Sequence, residues 1–235
     1  MYNTPMRLPA HLTEAVFLAR LNRFAALVRL NGAETLAHVP NSGRLRELLQ
    51  PGNRIYLTPA PPSATRVTQY DLSLVDLGGC LVSADARAAT TLAYEWLTGR
   101  LLPEFTGYTQ VVRESTFGES RLDLLLLGDG PNHYVEVKSA TLVHGDTALF
   151  PDAPTTRGRK HVGSLMKAVE MGHQASVLFV VQRSDAGSFS PNDDADPAFG
   201  AALRKACAAG VRAYAYNCRL TLQEITLHRR LPVVL

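Results

Sequence analysis

Hydrophobic and polar positions alternate on two different rhythms, and the change falls near residue 84. Before it, apolar positions come in short runs between turn residues. Arg23–Leu30 and Ala33–Val39 flank Asn31-Gly32, and further runs follow at Arg54–Thr58, Arg66–Val75 and Gly79–Ser83. Asn and Gly both tolerate positive φ, so the pair predicts a type I′ hairpin. Pro40-Asn41-Ser42-Gly43 interrupts the series. Arg44–Leu49 reads as a short helix closed by Pro51-Gly52, and Pro59-Ala60-Pro61-Pro62 as a loop. Several short strands separated by turns predict a small β-barrel.

After residue 84 the segments lengthen. Ala86–Arg100 is rich in Ala, Leu and Glu and predicts a helix. Three strands are expected at Tyr108–Phe117, Arg121–Leu127 and His133–Ala140, then an irregular stretch, Thr141–Thr156. A helix is expected over Arg157–Met171, ended by Gly172. Ala175–Gln182 is almost wholly apolar, as suits a strand buried on both faces. Asp196-Pro197 supplies an N-cap and an N1 proline for a helix reaching Gly210, and Val211–Tyr216 reads as a strand. Leu220–Leu235 has strand-like composition without an evident register. The expected fold class is α/β with a small all-β module: residues 1–83 as the barrel, 84–235 as an α/β domain with a mixed central sheet.

The hairpin SRLDLLLLGDGPNHYVEVKS concentrates the chemistry. Gly128-Asp129-Gly130-Pro131 is a strong turn signal, and pairing Leu127 with Asn132 puts Asp123 opposite Glu136. Alternation then places Glu136 and Lys138 on one face. Like charges facing each other in an apolar hairpin are unfavourable. A divalent cation resolves the conflict, because Mg²⁺ or Mn²⁺ takes one or two carboxylates and keeps several waters. Lys138 beside such an ion could orient a water or stabilise a charged phosphoryl transition state, which suits phosphodiester hydrolysis. The plain alternative is a solvated ion pair on a sheet. The order of a helix, three strands, a helix and a strand around this motif resembles the core of the PD-(D/E)XK nucleases, with Leu122 where a proline is expected. In that superfamily an acid on the first helix often joins the metal site, which makes Glu95 a fourth candidate catalytic residue.

Composition narrows the partners. The chain is 46% hydrophobic and 19% charged with a net charge of +3, which excludes a disordered chain and a histone-like binder. No apolar run has the length of a membrane span, and Met1–Arg20 has no signal-type apolar core. Three widely spaced cysteines suggest reduced thiols in a cytoplasmic protein. Residues 1–82 hold eight arginines and five carboxylates, so the excess positive charge lies on the barrel module, where it suits nucleic acid. Phe24, Tyr56 and Tyr70 could stack on bases there, though core packing is the commoner use. Arg157, Lys160 and His161 at a helix start suit a phosphate, or form a solvated basic turn in which His161 is alternatively structural. Arg23, Asn41 and Arg44 are the corresponding candidates on the barrel, where Asn41 alternatively only caps a turn. Asp152 either shapes its loop or approaches the metal. Basic residues otherwise are mostly Arg, so each of the four lysines, Lys138, Lys160, Lys167 and Lys205, stands out.

RLNRFAALV (Arg20–Val28), HVPNSGRL (His38–Leu45) and LFPDAPTTRGRKHVGSL (Leu149–Leu165), with SRLDLLL and YVEVKS, resemble the sugar fermentation stimulation protein A family over nearly the full length. Val39 stands where the family usually has cysteine, and Ser164 where an acid is frequent. The resemblance implies an N-terminal OB-type barrel, a C-terminal PD-(D/E)XK nuclease-like domain, DNA binding, and a link to regulation of sugar (maltose) metabolism. Three readings follow: a DNA-binding protein with a Mg²⁺- or Mn²⁺-dependent nuclease-like site, a non-catalytic DNA-binding regulator that uses the fold for grip, and, ranked last, an α/β enzyme of small sugars or phosphates. The last lacks a P-loop, a GxGxxG and a nucleophile elbow. No helix-turn-helix is evident. Single- or double-strand preference, and monomer or homodimer, are left open.

Overall fold

Residues 5–60 and 66–235 are described by a computed structural model. The Pro61-Pro62 half of the expected proline loop and the first four residues of the N-terminal segment lie outside the described residues. A two-residue strand, β1 (Met6–Arg7), precedes the barrel but joins the large sheet of the α/β domain, so the first residues of the 1–83 module are shared with that sheet. Five strands then close the barrel: β2 (Thr13–Asn22), β3 (Ala25–Leu30), β4 (Ala33–His38), β5 (Arg54–Pro59) and β6 (Tyr70–Asp76), with β7 (Leu81–Ser83) added to β6. Antiparallel pairing runs β4–β3–β2–β5–β6, and a parallel contact between β4 and β6 joins the ends. Phe17, Val28, Leu48, Ile55, Leu57 and Leu72 fill the interior.

The β3–β4 turn is the one its sequence predicts: Asn31 (φ 51°) and Gly32 (φ 82°) are both left-handed. β2 was not anticipated, because Val16 and Leu18 on its outer side blur the inward alternation of Ala15 and Phe17. The helix expected over Arg44–Leu49 is corrected to a single turn, in which Leu45 O accepts from Leu48 and Leu49 N–H. Leu45 has φ 50°, which no helix continues through, and its N–H is donated to Asp152 Oδ2 (2.9 Å).

The α/β domain runs α1 (Arg87–Thr98), a 3₁₀ turn (Pro103–Phe105), β8 (Tyr108–Phe117), β9 (Ser120–Gly128), β10 (His133–Ala140), β11 (Leu142–His144), β12 (Thr147–Phe150), α2 (Thr156–Glu170), β13 (Gln174–Val181), β14 (Ser188–Pro191), α3 (Pro197–Ala208), β15 (Arg212–Leu220) and β16 (Glu224–Leu231). Its seven-stranded sheet has the order β1-β16-β15-β13-β10-β9-β8. β13 pairs in parallel with β10 and β15, and every other pair is antiparallel, so the sheet is mixed. α1 covers one face through Leu92 and Trp96, packed with Val135 and Val180. α2 and α3 cover the other through Val162, Leu165 and Leu203, packed with Val177 and Phe179. This double cover explains the apolar run of β13. α3 starts as its sequence indicates, with Asp196 accepting from Phe199 N–H and Pro197 at N1.

The stretch expected to be irregular, Thr141–Thr156, contains β11 and β12. Joined by a turn at Gly145 (φ 63°), they gain a third, parallel strand only from distant β14. The unassigned tail forms β16, antiparallel to β15. Among the described residues no helix is long and apolar enough to cross a membrane.

Candidate active site and nucleic-acid interface

β9 and β10 pair at Leu126–His133, Leu125–Tyr134 and Leu124–Val135, and then part. Continuing that register sets Asp123 across from Glu136, as the loop length predicts. Where the backbone ladder stops, a side chain replaces it: Val137 N–H donates to Asp123 Oδ2 at 2.8 Å. The parting of the strands and the position of the first carboxylate are one feature.

Glu136 is 2% exposed. Its Oε1 accepts from Lys138 Nζ (2.5 Å) and from His161 Nδ1 on α2. Its Oε2 is buried without a hydrogen-bond partner. Burial pushes the Asp123 carboxyl up to about 6, with Glu136 adding to the rise and the Val137 N–H, Lys138 and His161 opposing it. Burial also raises Glu136, but the His161 hydrogen bond and the Lys138 charge outweigh it and hold that carboxyl below its ordinary range. The two acids are thus driven apart, the usual sign of a site with distinct roles for each.

Hard divalent cations fit these donors. The orphaned Oε2 of Glu136 and the Asp123 oxygens offer carboxylate ligands to Mg²⁺ or Mn²⁺, which complete their shells with water. Among the described residues no group of three or more His, Cys, Asp or Glu side chains is arranged to hold a metal, so protein ligands alone would not fill the shell.

Glu95 sits on α1, across the sheet from α2. No hydrogen bond or ion pair links it to Asp123, Glu136 or Lys138. Burial raises its pKa, Arg113 is the charge acting on it, and its Oε2 is buried without a partner. His161 requires a correction: it is 5% exposed and bonded to Glu136, so it faces the carboxylate cluster and not a nucleic acid. The signal that could have found it is helical spacing, since His161, Val162 and Leu165 share the buried side of α2. Lys160 is exposed and pairs with Glu119 at 3.5 Å. Asp152 receives Leu45 N–H, which ties the α/β domain to the barrel loop.

A cleft of about 420 Å³ separates the domains, lined by Lys138, Asp152 and Arg157 on one side and Arg23, Asn41 and Gly43 on the other. It adjoins a groove of about 660 Å³ on the barrel, where Arg20, Arg23, Arg44 and Arg46 converge and no acidic side chain lines the wall. Arg23, Ser42, Gly43, Ala153 and Pro154 border both. Arg20 went unrecognised because β2 did. Its guanidinium donates to the carbonyls of Asn22, Arg23, Asn41 and Arg44, clasping the loop that carries Arg44. Asn41 Oδ1 accepts from Gly43 N–H, the turn-forming use. Tyr56 is buried and Tyr70 packs on the barrel core, so neither is presented to bases.

These features define a class: an OB barrel fused to an α/β domain that carries a carboxylate–lysine cluster at parted strands. The model of the SfsA N-terminal OB domain matches residues 18–84, and that of the sugar fermentation stimulation protein RE domain matches residues 87–224. The chain belongs to the sugar fermentation stimulation protein family. A sugar fermentation stimulation protein homolog of Desulforamulus reducens is 44% identical over 224 residues, covering 95% of this chain and 93% of the relative. One from Moorella thermoacetica is 44% identical over 223 residues, covering 94% and 96%. The structure of Pyrococcus furiosus SfsA in complex with Ca²⁺ superposes with a TM-score of 0.90 at 33% identity, covering 98% of both chains.

Proposed function

We propose that the protein binds DNA and hydrolyses its phosphodiester bonds at the Asp123–Glu136–Lys138 cluster, with Mg²⁺ or Mn²⁺ held by the two carboxylates. The observation that carries this reading is the buried Glu136, with one oxygen committed to Lys138 and His161 and the other without a partner. The Ca²⁺ complex of the Pyrococcus furiosus relative supports a divalent site in the family. When bound, such an ion supplies positive charge to the phosphodiester and favours ionisation of an attacking water.

The chain's own residues do the rest. Lys138 Nζ is a compact cation at the edge of the cleft, suited to stabilise charge growing on a phosphoryl oxygen. His161 keeps Glu136 in one orientation. Arg23, Arg44 and Arg157 hold flanking phosphates, with Asn41 shaping the loop beside them. Glu95 acts at most from across the sheet. The link to sugar fermentation in the names of the relatives extends to this chain as regulation exerted through DNA. The test is a nicking assay with Mn²⁺ on supercoiled plasmid and on single-stranded circular DNA, beside calorimetric titration of Mn²⁺. Nicking and binding that disappear in Asp123→Ala and Glu136→Ala support the proposal. A pure protein that neither binds Mn²⁺ nor nicks DNA overturns it.

A second reading, a non-catalytic DNA-binding regulator, is favoured by the arginine groove, which needs none of the carboxylates. In that case Asp123→Ala is silent in cells, while Arg44→Ala and Arg157→Ala weaken binding and flatten its salt dependence.

A further inference from the structure

We propose that the DNA taken by the arginine groove is single-stranded, and that Phe24 is a stacking platform for one of its bases. This rests on the DNA-binding reading above. Among the described residues Phe24 is the one aromatic side chain among the exposed large hydrophobics, at 47% exposure. The barrel's other hydrophobic ring of that type, Phe17, is 1% exposed. Phe24 is not among the residues of the barrel's core cluster, so core packing does not account for its exposed half.

Its surroundings hold it in place. Phe24 N–H donates to Asn22 Oδ1 (2.9 Å), and Phe24 O accepts from Val39 N–H (2.9 Å), so the backbone is fixed on both sides. His38 backs the ring, with centroids 6.1 Å apart and planes 29° apart, and its Nδ1 bonds Phe24 O. A ring supported in this way presents a rigid apolar surface at little entropic cost.

Position gives the surface its ligand. Asn22 and Arg23 immediately precede Phe24, and both line the groove that Arg20, Arg44 and Arg46 share. Aromatic rings beside a basic groove are how single strands are held without sequence preference, with phosphates on arginines and bases on rings. A duplex keeps its bases stacked on one another and offers no π-face to Phe24. From the groove, a strand passing Ser42-Gly43 and Ala153-Pro154 reaches the cleft where Lys138 stands.

The experiment is fluorescence anisotropy of the full chain with a labelled oligothymidylate and with a hairpin duplex of equal charge, each over a salt series. The expected results are tighter binding of oligothymidylate, a loss of about tenfold or more for Phe24→Ala with unchanged salt slope, and retention in Phe24→Tyr. Arg44→Ala should reduce the slope by about 0.7. If the duplex binds as tightly and Phe24→Ala changes nothing, the single-strand assignment falls while DNA binding stands. If neither probe binds at low salt, both fall.

Discussion

His161 and Glu136 share a hydrogen bond from α2 to β10 in a place that is closed to solvent on both sides. The imidazole takes one carboxylate oxygen and leaves its twin unengaged. The carboxylate is therefore held in one orientation by a residue that need not touch any substrate.

Replacing His161 with Ala should cost about 1–3 kcal/mol of stability, because a buried acceptor loses its donor. It should also weaken Mn²⁺ binding. His161→Gln, which can still donate, should restore part of both. Urea denaturation and calorimetry read the two effects separately, and Mn²⁺ affinity unchanged in the alanine variant would remove the orienting role.

Asp123 gives the metal-free protein a pH dependence of definite sign. Its pKa rises from 3.8 to about 6 on folding, so the folded state holds the proton more tightly. The resulting stabilisation is complete below about pH 4 and is lost as pH rises through 6, leaving a penalty of about 3 kcal/mol for the ionised group at neutral pH. Asp123→Asn should be more stable than the parent at pH 7 in the presence of chelator, and show no gain at pH 4. Mn²⁺ at a hundred times its Kd should restore about 2.7 kcal/mol to the parent and nothing to the variant. Urea titrations at the two pH values check both statements.

Gly43 has no room for a methyl group. A Cβ built there lies 2.5 Å from Asp152 Oδ2 and 2.7 Å from Oδ1. Gly43→Ala should destabilise by about 1–3 kcal/mol through this overpacking. Asp152→Ala in the same chain should relieve most of the clash while sacrificing the Leu45 hydrogen bond. A double-mutant cycle in thermal melts would show the coupling, and strict additivity would refute it.

Lys138 is not interchangeable with arginine. Its side chain is 13% exposed and its Nζ lies 2.5 Å from Glu136 Oε1, a fit for a compact ammonium and not for a planar fork. Lys138→Arg should keep DNA affinity and lose nicking by about a hundredfold or more. A variant that nicks at the parental rate would move the chemistry elsewhere.

The parts legible in the sequence are those with local causes. Asn31-Gly32 names its own turn, Asp196-Pro197 its own helix start, and the loop after Gly128 sets Asp123 against Glu136. What escaped depends on partners far along the chain. The β11–β12 hairpin finds its third strand only in β14, which pairs with β12 from about forty residues further along. Leu45 leaves the helical region where Asp152 takes its N–H. His161 looked like one more cation at a helix start until α2 was laid against β10. Residue type indicated the carboxylate–lysine chemistry, whereas the groove of Arg20, Arg23, Arg44 and Arg46 needed the barrel to close.

The pairing of β1 with β16 bears on how the protein can be dissected. Met6 and Leu8 pack with the core beneath α1, Arg7 pairs with Glu224 at 2.8 Å, and Leu8 N–H donates to Gln223 O. Topologically the barrel is an insert, held between two segments of one sheet. A fragment starting at residue 84 would carry β16 as a bare edge strand, an invitation to edge-to-edge aggregation. Residues 5–10 supplied to that fragment, through a linker long enough to run back along β16 to Ile225, would restore the cover and make the α/β domain separable from the barrel.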